Sequence, residues 1–183
     1  MSDSVSTPGP PSALHPALPA WAIISPPRLQ HVYRVAELVS AWAARMGVPD
    51  RERDRWLRAV WLHDALRDAP LGDLLAHGPA AADRAAQDGE RDRGVLDAVR
   101  YHTIGYAGWD QVGRMLYLAD FLDPGRDFDL NGPDGRLALA ARVPRERDAV
   151  LREVARRRVD WVLRSGWPLV PETVAFWNAL TSR

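Results

Sequence analysis

The sequence predicts an all-α fold, and three observations predict it. From Trp21 onward apolar residues recur at helical spacing. Alternating runs of strand length are hard to find anywhere in the chain. Breakers fall between the periodic stretches, at Pro26 and Pro27, Gly47, Pro70 and Gly72, Gly89, Gly105 and Gly108, and Pro124 and Gly125, where they stop one helix or open the next.

Residues 1–18, rich in Ser, Thr, Pro and Gly, have almost no apolar clustering, so a disordered tail that includes His15 is expected before one domain over 19–183. A short helix is expected around Ala17 to Ile24. The next, RLQHVYRVAELVSAWAARMG from Arg28, stacks His31, Val35, Leu38, Val39 and Trp42 on one face and stops at Gly47. A helix over about Arg51 to Arg67 turns Trp56, Ala59, Val60 and His63 inward. After a turn that reaches His77, GPAAADRAAQ starts another, with Pro79 in its first turn. Residues 92–103 put Val95, Leu96, Val99 and His102 on one stripe, and WDQVGRMLYLADFLDPGR does the same with Val112, Leu116, Ala119 and Asp120. A polar loop over 126–135 precedes a long helix from about Arg145 to Arg164, and Pro171 opens a closing helix carrying Val174, Phe176, Trp177 and Leu180. Trp21, Trp42, Trp56, Trp61, Trp161 and Trp177 are expected in the core. Trp109 is assigned to packing ahead of a purine-stacking role.

Composition narrows the chemistry. The chain has 183 residues and no net charge, so it carries no bulk field of the kind that recruits nucleic acid or an anionic membrane. No stretch approaches the roughly 18 apolar residues of a membrane span, and no export signal is evident, so a cytoplasmic protein is expected. Without cysteine, any metal is bound by nitrogen and oxygen. All 24 basic residues are arginine, a residue suited to bidentate phosphate contacts. The arginines of the long late helix alternate with Glu146, Asp148 and Glu153, which reads as a solvated face.

Several apolar stripes end in a polar residue. In AVWLHDALRDAP, residues 59–70, His63 and Asp64 interrupt Ala, Val, Trp and Leu, although burying such groups unpartnered costs on the order of 1 to 3 kcal/mol each. One inward histidine is ordinarily a hydrogen-bonded core residue. Here His31, His63, Asp64, His77, His102 and Asp120 recur in order on separate segments, which points to a shared cause. Imidazoles bind transition metals, and a carboxylate can bridge two ions about 3.5 to 4 Å apart. Asp64, beside His63, is the natural bridge.

This H…HD…H…H…D set resembles the HD-domain superfamily of metal-dependent phosphohydrolases, all-helical bundles with a buried metal site. RLQH at 28–31, LHDALR at 62–67, HGPAAA at 77–82, LDAVRYHTIG at 96–105, YLADFLDPGR at 117–126 and the closing PLVPETVAFWNAL are similar to its YqeK branch. Members of that branch hydrolyse diadenosine tetraphosphate symmetrically to two ADP. The resemblance implies that all six residues ligate two divalent ions, iron first, with manganese, magnesium and zinc as alternatives. His31, His63 and Asp120 would hold one ion, His77 and His102 would complete the other, and Asp64 would bridge. A metal-activated hydroxide would then attack phosphorus. Arg67, Arg126, Arg28 and Thr103 are the candidates for holding the nucleotide. Arg67 stands where the branch usually carries lysine, which keeps the charge without a ready proton donor, and the Asp64–His77 connection is shorter than is usual. Other readings are an HD-type nucleotide phosphomonoesterase, a diiron oxygenase and a nucleotide-binding HD protein. A homodimer is compatible with all of them.

Overall fold

A computed structural model describes residues 18–126 and 135–182. Most of the expected tail, the expected start of the first short helix and most of the 126–135 loop lie outside the described residues. Among those described there are seven helices and no strands: α1 Pro26–Met46, α2 Asp50–His63, α3 His77–Gln87, α4 Arg93–Tyr101, α5 Gln111–Leu122, α6 Arg136–Arg164 and α7 Pro171–Thr181. None is long and apolar enough to cross a membrane.

The most fully buried helix takes the centre. Nine residues of α5 are buried, from Val112 to Leu122, and α5 packs on α1, α2, α4 and α6. Around it lie Val32, Val35, Ala36 and Val39 of α1, Ala59 and Val60 of α2, and Val95, Ala98 and Val99 of α4. Burying side chains of the Val or Leu kind contributes roughly 1.5–3 kcal/mol each relative to exposure, so α5 is the natural anchor for its neighbours. α1 ends as expected at Gly47, whose φ of 63° is a left-handed conformation that glycine adopts without strain. Gly78 serves a close approach instead: a Cβ there would lie 2.8 Å from the Arg100 carbonyl oxygen, so its absence lets the start of α3 abut the end of α4.

Three expectations need correction. Residues 18–25 form a turn and extended chain rather than a helix. The Ile23 amide donates to the Ala65 carbonyl (2.7 Å) and the Asp68 amide to the Ile23 carbonyl (3.2 Å), so long-range pairing displaces local helix. For the same reason α2 stops at His63 instead of continuing to Arg67; tight turns follow, with Asp64 at φ −107°, ψ 13°. Third, α6 starts at Arg136, not near Arg145. Pro144 has no N–H for the Ala140 carbonyl, and the Trp42 indole donates to that carbonyl at 2.9 Å instead. The helix therefore runs through the proline with a kink at Glu146. Trp161 also departs from expectation, standing 56 % exposed, whereas Trp109 is buried and donates to the Asp97 carbonyl, which removes it as a base-stacking candidate.

Candidate metal centre

The six stripe-ending residues meet in one buried cluster. His31 projects from α1, His63 closes α2, Asp64 caps it, His77 opens α3, His102 caps α4 and Asp120 sits in the last turn of α5. His77 is thus a helix-start residue and as buried as the others, not a loose turn residue.

Asp64 divides the cluster. Its Oδ2 lies 3.9 Å from His31 Nε2 and 3.8 Å from His63 Nε2. Its Oδ1 lies 3.4 Å from His77 Nε2 and 3.5 Å from His102 Nε2. The two sets, His31–His63–Asp64 and Asp64–His77–His102, each bring three donor atoms within 4.8 Å of one another and share only Asp64. Asp120 adjoins the first, with Oδ1 3.2 Å from His31 Nε2.

Every imidazole presents the same nitrogen to the centre, because its other nitrogen is engaged. His63 Nδ1 donates to the Val60 carbonyl (2.7 Å), His77 Nδ1 to Leu74 (2.9 Å) and His102 Nδ1 to Val99 (2.8 Å), each three residues back. His31 Nδ1 faces Asp123 Oδ2 at 2.7 Å. A proton held on Nδ1 leaves the Nε2 lone pair for a cation, the arrangement of metal-binding histidines. Without one the inward nitrogens crowd each other: the Nε2 atoms of His77 and His102 are 3.1 Å apart, and those of His31 and His63 3.4 Å.

The electrostatics agree. Burial would raise the Asp64 carboxyl, but His63 and the close approach of His102 and His77 hold it well below the usual carboxylate range. Burial lowers His63 to about 4, which keeps it neutral. Burial would lower His31 too, yet Asp120 and Asp123 pull it up to about 9. A proton on that imidazole stands where a cation would stand. Among the described residues, no arginine lies within ion-pair distance of the buried Asp64; the groups facing its oxygens are the four imidazoles. Four imidazoles and two carboxylates without sulfur form a donor set that suits a borderline transition metal.

The arginines distribute unevenly. Arg126 pairs with Asp120 Oδ1, so it abuts the cluster. Arg67 Nη1 donates to the Leu74 carbonyl (3.1 Å) and lies 3.1 Å from His77 Nδ1, on the side of that ring away from the centre. Thr103 Oγ1 is 3.2 Å from His102 Nε2. Arg28 is not brought to the cluster; its charge bears on Asp68. Two participants, Asp123 and Arg158, escape a reading of the sequence. Asp123, fully buried, backs His31 and takes both a 2.6 Å and a 2.9 Å hydrogen bond from Arg34. Its place one turn beyond Asp120 was the available signal. Arg158 of α6 donates to Asp120 Oδ2 (2.6 Å) and to the Thr103 carbonyl (3.2 Å) while stacking on Tyr117 and Phe121. Nothing in the sequence distinguishes it from the other arginines of that helix.

Comparison with known proteins places this geometry. Three curated relatives are each named symmetrical bis(5'-nucleosyl)-tetraphosphatase. That of Halalkalibacterium halodurans is 26% identical over 60% of this chain and 56% of its own length, and that of Bacillus subtilis 29% over 59% and 56%. That of Staphylococcus aureus is 30% identical over 54% of this chain and 60% of its own. The chain thus spans little more than half the length of the relatives it matches. A Clostridium acetobutylicum crystal structure, described as a predicted HD superfamily hydrolase involved in NAD metabolism, shares the fold: TM-score 0.74, 23% identity, 87% of this chain and 92% of that one. The model of the HD domain matches residues 28–127, a stretch that is more than half of the chain and contains the whole cluster from His31 to Asp120. The chain therefore belongs to the HD-domain family.

Proposed function

We propose that the chain is a metal-dependent phosphohydrolase that cleaves dinucleoside polyphosphates symmetrically, diadenosine tetraphosphate to two ADP. The single observation that carries the reading is the buried Asp64, whose two oxygens each face a separate pair of inward Nε2 atoms. That arrangement supports two divalent ions, transition metals ahead of magnesium because imidazole suits them better, and the resemblance to the YqeK branch puts iron ahead of manganese and zinc. His31, His63 and Asp120 would hold one, His77 and His102 the other, and Asp64 both. Bound there, such ions supply Lewis acidity and a water acidified toward neutral pH. The relatives' printed names support the substrate.

The protein's own groups do the rest. In the reaction, water oxygen bonds to one inner phosphorus, the bond from that same phosphorus to the bridging oxygen breaks, the bridging oxygen leaves on the second ADP, and the water's protons pass to the new terminal phosphates and solvent. Arg158 and Arg126, each held at Asp120, and Arg67, beside His77, bring guanidinium charge to the edge of the cluster where phosphate oxygens gather it. Thr103 offers a hydroxyl beside His102. The test is incubation of metal-loaded protein with diadenosine tetraphosphate, AMP, dAMP and a generic phosphodiester. ADP as the sole product is expected; free phosphate released from the monophosphates alone overturns the reading. Elemental analysis of protein purified without added metal identifies the ion.

A further inference from the structure

Two tryptophans stand apart from the others. Trp42, Trp56, Trp61 and Trp109 are buried, whereas Trp161 is 56 % and Trp167 49 % exposed. They lie edge to face with ring centroids 5.1 Å apart, which leaves ring faces uncovered. Both line a cavity of about 220 Å³, together with Arg158, Thr103, Arg67, Leu74 and Leu75. Of these, Arg158, Thr103 and Arg67 touch Asp120, His102 and His77 respectively, so the cavity lies beside the cluster. Arg158 and Trp161 lie three residues apart on α6 and share a face, the arginine reaching the cluster and the indole standing one turn further out. Arg158 Nε is buried and has no hydrogen-bond partner among the described residues.

We propose that this cavity is the nucleobase subsite: a purine stacks on the Trp161–Trp167 pair while Arg158 and Arg67 receive the phosphates that lead into the metal centre. The proposal rests on the hydrolase reading above and adds where one nucleoside end of the substrate sits. The lining matches the ligand, since guanidinium groups share it with aromatic and aliphatic side chains. Its volume falls below the roughly 300–1,000 Å³ of sites that enclose a whole drug-sized ligand, so it takes one nucleoside end, and the other half of a dinucleotide extends beyond it. Leu74 and Leu75 belong to the short connection after Asp64, so α6 and the residues that follow it supply the larger share of the aromatic wall.

Titration calorimetry of the metal-loaded full chain with ADP and with inorganic pyrophosphate tests this. Trp161→Ala and Trp167→Ala should each weaken ADP roughly tenfold, the usual scale of base–aromatic stacking, and leave pyrophosphate within about twofold. Trp161→Phe should restore most of the ADP affinity. Unchanged ADP affinity in both alanine variants overturns the subsite while the hydrolase reading stands; an equal loss for pyrophosphate also overturns it, because the effect would then not be on the base. Wild-type protein that binds neither ligand overturns both readings. The exposure of both rings keeps the fold out of question, and circular dichroism of each variant checks that.

Discussion

The two sides of Asp64 are built differently. On the His31–His63 side, side chains do the supporting: Asp123 backs His31, Arg34 backs Asp123, and Asp120 is clamped between Arg126 and Arg158. On the His77–His102 side, backbone carbonyls of Leu74 and Val99 orient the rings, and the groups beside them, Arg67 and Thr103, face the cavity. One side is a layered charge network and the other is set by helix termini, and the cavity is lined by Arg158 of the first and by Arg67 and Thr103 of the second. Ligand orientation can therefore be obtained from a second layer of side chains or from the chain's own turns. Only the first can be removed by a substitution outside the ligand set.

The largest effect should come from the residue common to both sides. Asp64→Ala is expected to empty both, with metal content near background by elemental analysis and ADP release down on the order of 10³-fold. Retention of full metal and full turnover would make its bridging role wrong. Next, Asp123→Ala should weaken metal binding by about 10–100-fold in a titration that resolves two affinities, and only the tighter or the weaker class should move. A uniform loss would erase the distinction drawn here. On the cavity side, Arg67→Ala should lower turnover roughly tenfold, the scale of one hydrogen bond to a charged group, with metal content intact.

The smallest effect serves as a control far from both sides. Asp92 caps α4 through the amides of Gly94 and Val95, and Arg55 beside it holds its carboxyl down at about 2, against 3.8 ordinarily. Because the folded value is depressed, its stabilisation is complete above about pH 4 and is lost as pH falls toward 2. Asp92→Ala should cost about 1–2 kcal/mol, a fall of a few degrees in Tm at neutral pH. The deficit against wild type should shrink in that acid window, and metal content should not change.

Much of the cluster was legible because most of its residues lie on apolar stripes of separate segments. His31, His63, His102 and Asp120 declare themselves by helical period, and HD at 63–64 by adjacency. Asp123 and Arg158 were not legible. A carboxylate after a helix reads equally well as a turn residue, and an arginine among alternating charges reads as solvated. Arg158 is drawn inward only because Tyr117 and Phe121 offer it their rings and Asp120 its second oxygen. The exposed Trp161 was misread for a related reason, since its spacing on the helix fits a buried stripe but its ring meets Trp167 at the surface and stays 56 % exposed.

By itself the sequence determined the helical class, the position of most helices and the polar residues at the ends of their buried faces, since period and breakers act within a few residues of chain. Tertiary contact decided the rest. The Ile23 pairing ended α2 early, the Trp42 indole let α6 run through Pro144, and packing around α5 chose which charges meet at the cluster. Those outcomes depend on groups distant along the chain competing for the same hydrogen bonds and the same buried space, a competition that local spacing does not record.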